Sequence, residues 1–209
     1  MDEKGVEAAA ATAIVVFDSS GGAFFTRTCL AALAVTAGAC DTTEQAGPAA
    51  GIFVGQAGDV LIAVVAADDL VTVFACDGSY DWLGVRAWFH GPLDDGAGTL
   101  TNADGATVDL EIHGDRFSAA LRGELVTNGP YDFTGTAVAG DEAGLYWGQV
   151  DGWIGGWIID DAGEQRGAAI EHSTDDAALV YIEPTQTEVA LDDGTVLPLT
   201  RMTAPTKVE

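Results

Sequence analysis

The sequence predicts an all-β protein: an antiparallel meander, closed as a sandwich or an up-and-down barrel, behind an N-terminal segment of different character. Short runs of β-branched and aromatic residues recur from Gly51 onward. Turn residues interrupt these runs at about 8–12-residue intervals, the spacing of sandwiches and barrels. After Gly51 no apolar period of about 3.6 residues supports a helix.

In chain order the predicted strands are 52–54, 60–65, 70–76, 82–90, 98–101, 107–112, 117–122, 131–137, 144–150, 153–159, 165–170, 178–182 and 188–191. The run VLIAVV at 60–65 is apolar throughout, which places it centrally with both faces covered. In 107–112, Val108, Leu110 and Ile112 alternate with Thr107, Asp109 and Glu111, so one face is buried and one is wet. Phe117, Ala119 and Leu121 repeat that pattern. Between the runs, Asp104-Gly105, Asn128-Gly129 and Asp193-Gly194 supply the positive φ that tight hairpin turns demand.

The 209 residues carry 33 acidic side chains against 8 Lys plus Arg, a formal net charge of −25. Such a surface repels nucleic acid and anionic lipid headgroups, which excludes DNA, RNA and polybasic membrane binding. An Asp-rich, Lys-poor composition suits a high-GC actinobacterium or a salt-adapted organism, in which salt screens the self-repulsion. The cysteines are Cys29, Cys40 and Cys76. Cys76 follows an apolar run and reads as a small buried hydrophobe.

Residues 26–41 read TRTCLAALAVTAGACD. Arg27 precedes an apolar and small-residue run from Cys29 to Ala39, and the run ends in Gly38-Ala39 before Cys40. This is the order of n-region, h-region and small-residue cleavage site in an exported chain. With cysteine in the next position, the segment resembles a bacterial lipoprotein signal of the actinobacterial type, although Ala37 stands where that family carries a larger aliphatic residue. The resemblance implies cleavage before Cys40 and attachment of a lipid to it. Cleavage there removes 39 residues, where roughly 15–30 is usual. The acidic upstream stretch has no n-region character, which points to initiation nearer Val15 or Val16. The competing reading of 26–40 is an Ala-rich helix buried all round, since the run falls short of the roughly 20 residues of a membrane span. Residues 1–39 are therefore expected to be a signal segment, 40–50 a tether and 51–209 a single antiparallel β domain.

The stretches FACDGSYDWL, LTNADGATVDL and AGLYWGQVDGWIGGWII are also similar to an uncharacterised group of β-rich actinobacterial envelope proteins. That likeness implies an envelope setting and no reaction.

The sequence contains no GxSxG, HExxH, CxxC or phosphate-binding GxxxxGK[ST] motif. His90, His113 and His172 lie in separate segments, as surface histidines do, and a metal triad would need all three to converge. The aromatic cluster Tyr146, Trp147, Trp153 and Trp157 admits two readings. Even spacing puts Trp153, Trp157 and Ile159 on one strand face, where the rings either fill the core or form a platform. On a platform, a sugar or lipid tail would stack on Trp153 and Trp157 while Asp151 or Asp160 accepted its hydroxyl protons. Asn102, Asp104, Asp109 and Glu111 form a weak candidate calcium site, with no other cofactor expected. The helices and distal glutamate of an EF-hand are missing, so hairpin turns are the competing account.

Together these readings give an exported, membrane-anchored lipoprotein at the outer face of the cytoplasmic membrane. Its role is binding or structural and non-catalytic, and its partner is a glycan, a lipid or an envelope protein. The alternatives are a secreted hydrolase acting on envelope glycans with carboxylates beside the aromatic cluster, and an intracellular salt-adapted β protein.

Overall fold

The computed structural model describes residues 50–79, 82–123, 126 and 129–208. The predicted signal segment, Cys40 and the tether up to residue 49 lie outside the described residues. The strands are β1 (Gly51–Ala57), β2 (Val60–Ala67), β3 (Leu70–Cys76), β4 (Arg86–Pro92), β5 (Ala97–Thr101), β6 (Thr107–His113), β7 (Arg116–Arg122), β8 (Tyr131–Ala137), β9 (Gly144–Val150), β10 (Trp153–Ile159), β11 (Gln165–Glu171), β12 (Ala177–Ala178), β13 (Glu188–Ala190), β14 (Val196–Pro198) and β15 (Thr200–Arg201). Among the described residues there is no helix, and every strand pairing is antiparallel.

Eight strands form one sheet in the order β4-β3-β2-β1-β8-β7-β6-β5. Because β4 and β5 are consecutive in sequence yet lie at the two ends of that order, the sheet curls into a nearly closed up-and-down barrel. The short connection between them stitches the seam, with Leu93 N–H donating to Asp69 O at 2.8 Å and Asp94 bridging Ala97. Inward-facing residues such as Phe53, Ile62, Val64, Val108, Leu110 and Phe117 fill the interior. Phe117 lies across the paired glycines Gly55 and Gly135, where a Cβ on either would strike its ring.

The second sheet, β12-β11-β10-β9-β15, packs on the outside of the barrel. The layer between them joins Leu61, Ala63 and Val65 of β2 and Phe74 of β3 to Leu145, Ile158 and Met202. β2 is therefore buried on both faces, as its unbroken apolar run predicts. A third cluster covers the far side of the second sheet, where Tyr146, Trp157, Ile159 and Ala169 meet Leu191 and Leu197 from around the β13–β14 hairpin.

The run 52–54 extends to Gly51–Ala57, β14 and β15 have no counterpart in the sequence prediction, and two predicted strands are cut short, each for a local reason. The run 82–90 becomes strand only from Arg86, because the Asp77 carboxylate takes the N–H groups of Gly84 and Val85 at 2.8 and 2.7 Å. The run 178–182 pairs only at Ala177–Ala178. Beyond it, side chains replace the neighbouring strand. The Gln165 amide both donates to Ile182 O and accepts from Ile182 N–H, and Trp157 Nε1 donates to Val180 O.

Candidate binding cavity

β4 turns Ala87 and Phe89 into the barrel, so Arg86, Trp88 and His90 share its outer face. Register sets them against Cys76, Phe74 and Thr72 of β3. Phe74 and Trp88 stack with ring centroids 4.2 Å apart and an interplanar angle of 26°. They have room because β10 places Gly156 against them. A Cβ there would lie 2.5 Å from the Trp88 ring and 2.8 Å from that of Phe74.

This aromatic pair lies at a cavity of about 1200 Å³ between the barrel and the second sheet. Ile154 of β10 and Ala168 and Ile170 of β11 extend its apolar surface, and Trp82 contributes an indole that is 57% exposed. The polar lining includes Arg86, which forms an ion pair with Asp175, together with His90, His172, Asp104 and Lys207. Among the described lining residues two cations face two carboxylates, leaving a formally balanced site within a chain of net charge −25. His90 is anchored by Thr72, whose hydroxyl lies 3.0 Å from Nδ1. The same hydroxyl donates to Thr206 O and accepts from Thr206 N–H, both at 2.9 Å, which holds the stretch carrying Lys207 and Val208 against the cavity.

The predicted aromatic cluster lies elsewhere and divides between two faces. Tyr146 and Trp157 are cross-strand partners buried on the far side of the second sheet, with Trp153 packed at the margin of that cluster. Trp147, the next residue along β9, turns toward the layer beside the barrel. Trp157 is fully buried, so its ring is core, and the small Gly155 and Gly167 beside it make room for that ring. The Tyr146 hydroxyl donates to Glu142 O at 2.8 Å, and burial pushes its pKa up against the opposing pull of Arg201. Asp151 and Asp160 occupy the turns at opposite ends of β10. Asp151 is exposed at φ 44°, and Asp160 Oδ1 accepts N–H groups from Ala162 and Glu164 at 2.9 and 2.7 Å.

The candidate calcium residues are set along a hairpin. Asn102 Oδ1 accepts from Asp104 N–H and Ala106 N–H, forming the turn, while Asp109 accepts from Thr99 Oγ1 at 2.6 Å. Glu111 is exposed, 3.7 Å from His113 Nε2. Among the described residues no group of three or more His, Cys, Asp or Glu side chains is placed to hold a metal ion. Of the histidines, His90 and His172 line the cavity, whereas His113 is on the outer face of β6.

Sequence reasoning singled out Trp153 and Trp157, with Trp82 and Trp88 noted only as earlier tryptophans and left out of the candidate site. The available signal was the alternation in RAWFH, which puts arginine, tryptophan and histidine on one face of one strand. Residue pattern alone cannot show that β10 lays a glycine opposite that face. No protein-family model matches the chain, and neither the curated proteins nor the solved structures searched contain a match to it.

Proposed function

We propose that this chain is a cell-envelope lipoprotein, anchored through a lipid on Cys40, whose β domain binds a glycan without turning it over. The binding reading is carried by the cavity at the Phe74–Trp88 stack. A sugar ring has a C–H face that packs on an aromatic ring and an edge of hydroxyl groups that needs polar partners. Aromatic surface bordered by Arg86, His90, Asp104 and His172 offers both, as ligand pockets generally do. A lipid tail would leave that polar border unmatched.

The charge balance of the lining suits a neutral ligand, and the net charge of −25 disfavours a polyanion. The non-catalytic reading rests on the carboxylates. A glycosidase needs two, held about 5–10 Å apart. Here Asp175 is engaged by Arg86, and Asp104 is the other carboxylate among the described lining residues. The anchoring reading rests on the order of residues 26–41.

Expression in a bacterial host with a radiolabelled fatty acid tests the anchor. Label and membrane retention should be lost in Cys40→Ala; an unlabelled soluble chain in both cases rejects the anchor. Titration of the full chain with neutral sugars tests the cavity, where Trp88→Ala should weaken binding about tenfold or more, the loss of one well-stacked ring. Binding unchanged by that substitution places the ligand elsewhere.

A further inference from the structure

We propose that the ligand is a linear chain of neutral sugars that passes Trp82 from the large cavity into a second hollow, so that the site recognises an oligosaccharide. This inference rests on the glycan-binding reading above and extends it. The second hollow, of about 220 Å³, is walled by Gly78, Ser79, Gly167, Val180 and Tyr181. It shares two structural elements with the large cavity. Ser79 and Trp82 exchange backbone hydrogen bonds of 3.0 and 3.4 Å, and Ser79 borders the second hollow while Trp82 borders the first. On β11, Gly167 lines the second hollow and its neighbour Ala168 lines the first.

The exposed aromatic residues mark the same path. Trp82 is 57% exposed and Tyr181 55%, the two aromatic members of the exposed large apolar side chains among the described residues. Each lines one of the two hollows. Trp82 is also held in place from below. Its Nε1–H donates to Asp77 Oδ2 at 3.2 Å, and Asp77, only 8% exposed, uses Oδ1 to accept from Gly84 and Val85. A buried carboxylate thus keeps an exposed indole in one orientation, which lowers the ordering cost of stacking a ligand on it.

The volumes agree with an extended ligand. Ordinary small-molecule pockets measure about 300–1,000 Å³. The large cavity exceeds that range and has room for several rings, whereas the second falls below it and suits one. Neutrality follows from the repulsion that a net charge of −25 exerts on a polyanionic chain.

Calorimetric titration of the full chain with cello-, malto- and N-acetylchito-oligosaccharides of increasing length, from disaccharide to hexasaccharide, tests the inference. In at least one series the hexasaccharide should bind about tenfold or more tighter than the disaccharide, as stacking on a further ring adds affinity. Tyr181→Ala should bring that ratio toward one, and Tyr181→Phe, which keeps the ring, should restore it. Val196→Ala, an exposed apolar position on β14 outside both hollows, should leave the ratio unchanged. A hexasaccharide bound no tighter than the disaccharide, or a ratio indifferent to Tyr181→Ala, overturns the extended site while leaving the single-cavity reading intact. Absence of binding in all three series overturns the glycan reading and this inference with it.

Discussion

The carboxylate of Asp77 holds the indole of Trp82, accepting its Nε1–H at 3.2 Å through Oδ2 while Oδ1 accepts the N–H groups of Gly84 and Val85 at 2.8 and 2.7 Å. One buried side chain therefore ends β3, shapes the approach to β4 and aims the most exposed tryptophan in the described structure. A buried carboxylate is tolerated because its oxygens meet several donors, and hydrogen bonds to an ionised group are the stronger kind.

Asp77→Ala should lower unfolding free energy by about 2 kcal/mol or more, since it orphans the buried Val85 N–H as well as losing charge-assisted bonds. Asp77→Asn keeps an acceptor oxygen and should cost less. Denaturant midpoints give the energies, and tryptophan emission reports whether the Trp82 indole has been released. Equal stability of Asp77→Ala and wild type would mean that the loop holds itself.

Trp157 and Gly155 test whether that region is core. The Trp157 ring lies over Gly155, fully buried, with its N–H held by Val180 O at 2.9 Å. Trp157→Ala should cost about 3–5 kcal/mol as a cavity-forming truncation. Gly155→Ala should cost about 1–3 kcal/mol, because a rigid buried ring cannot move aside for the new methyl group. Trp153→Ala, at a half-buried position, should cost less than either. Chemical denaturation of the three variants settles the order, and a Trp157→Ala protein as stable as wild type removes the ring from the core.

Much of this fold was legible because local pattern and tertiary environment agree. The bounds of β3, β8, β9 and β10 match the sequence prediction, each being a run with clear turn residues at both ends. The even spacing of Trp153, Trp157 and Ile159 correctly put all three on one face. Of the misread segments, two are ones in which a side chain takes over the role of a strand: Asp77 toward Gly84 and Val85, and Gln165 toward Ile182. Neither partnership leaves a periodic trace. The cavity was hidden for a similar reason, since it depends on Gly156 of one sheet facing Trp88 of the other. Their separation in sequence conceals that meeting.

Cys76 should behave as an inert thiol. It is fully buried, and burial pushes its pKa from 9.0 up to about 12, with a hydrogen bond from Gly78 N–H pulling weakly the other way. The folded state thus holds its proton more tightly than the unfolded chain does. This contribution to stability is complete below about pH 9 and is lost as pH rises toward about 12. Cys76→Ala should show a shallower loss of stability over that window, measured by denaturation at successive pH values. In a Cys29→Ala/Cys40→Ala background, where Cys76 is the one thiol left, native protein at pH 8 should resist a thiol reagent that labels the unfolded chain at once. Rapid labelling of the native state would contradict the buried assignment.

Thr72 carries the last prediction, because its hydroxyl has one proton and two lone pairs for three neighbours. The proton goes to Thr206 O, which can only accept, and one lone pair takes Thr206 N–H, which can only donate. The remaining lone pair faces His90 Nδ1 at 3.0 Å, so Nδ1 carries a proton and neutral His90 keeps Nε2 as its acceptor. Thr72 is 1% exposed, so water cannot replace these bonds. Thr72→Val should therefore cost about 2 kcal/mol and accelerate amide exchange at Thr206, beside the cavity-lining Lys207 and Val208, with the β2 amides slow in both proteins. Thr72→Ser, which keeps the hydroxyl, should preserve slow exchange. Nitrogen NMR of His90 reads the tautomer directly, and a proton found on Nε2 in the neutral ring would overturn the assignment.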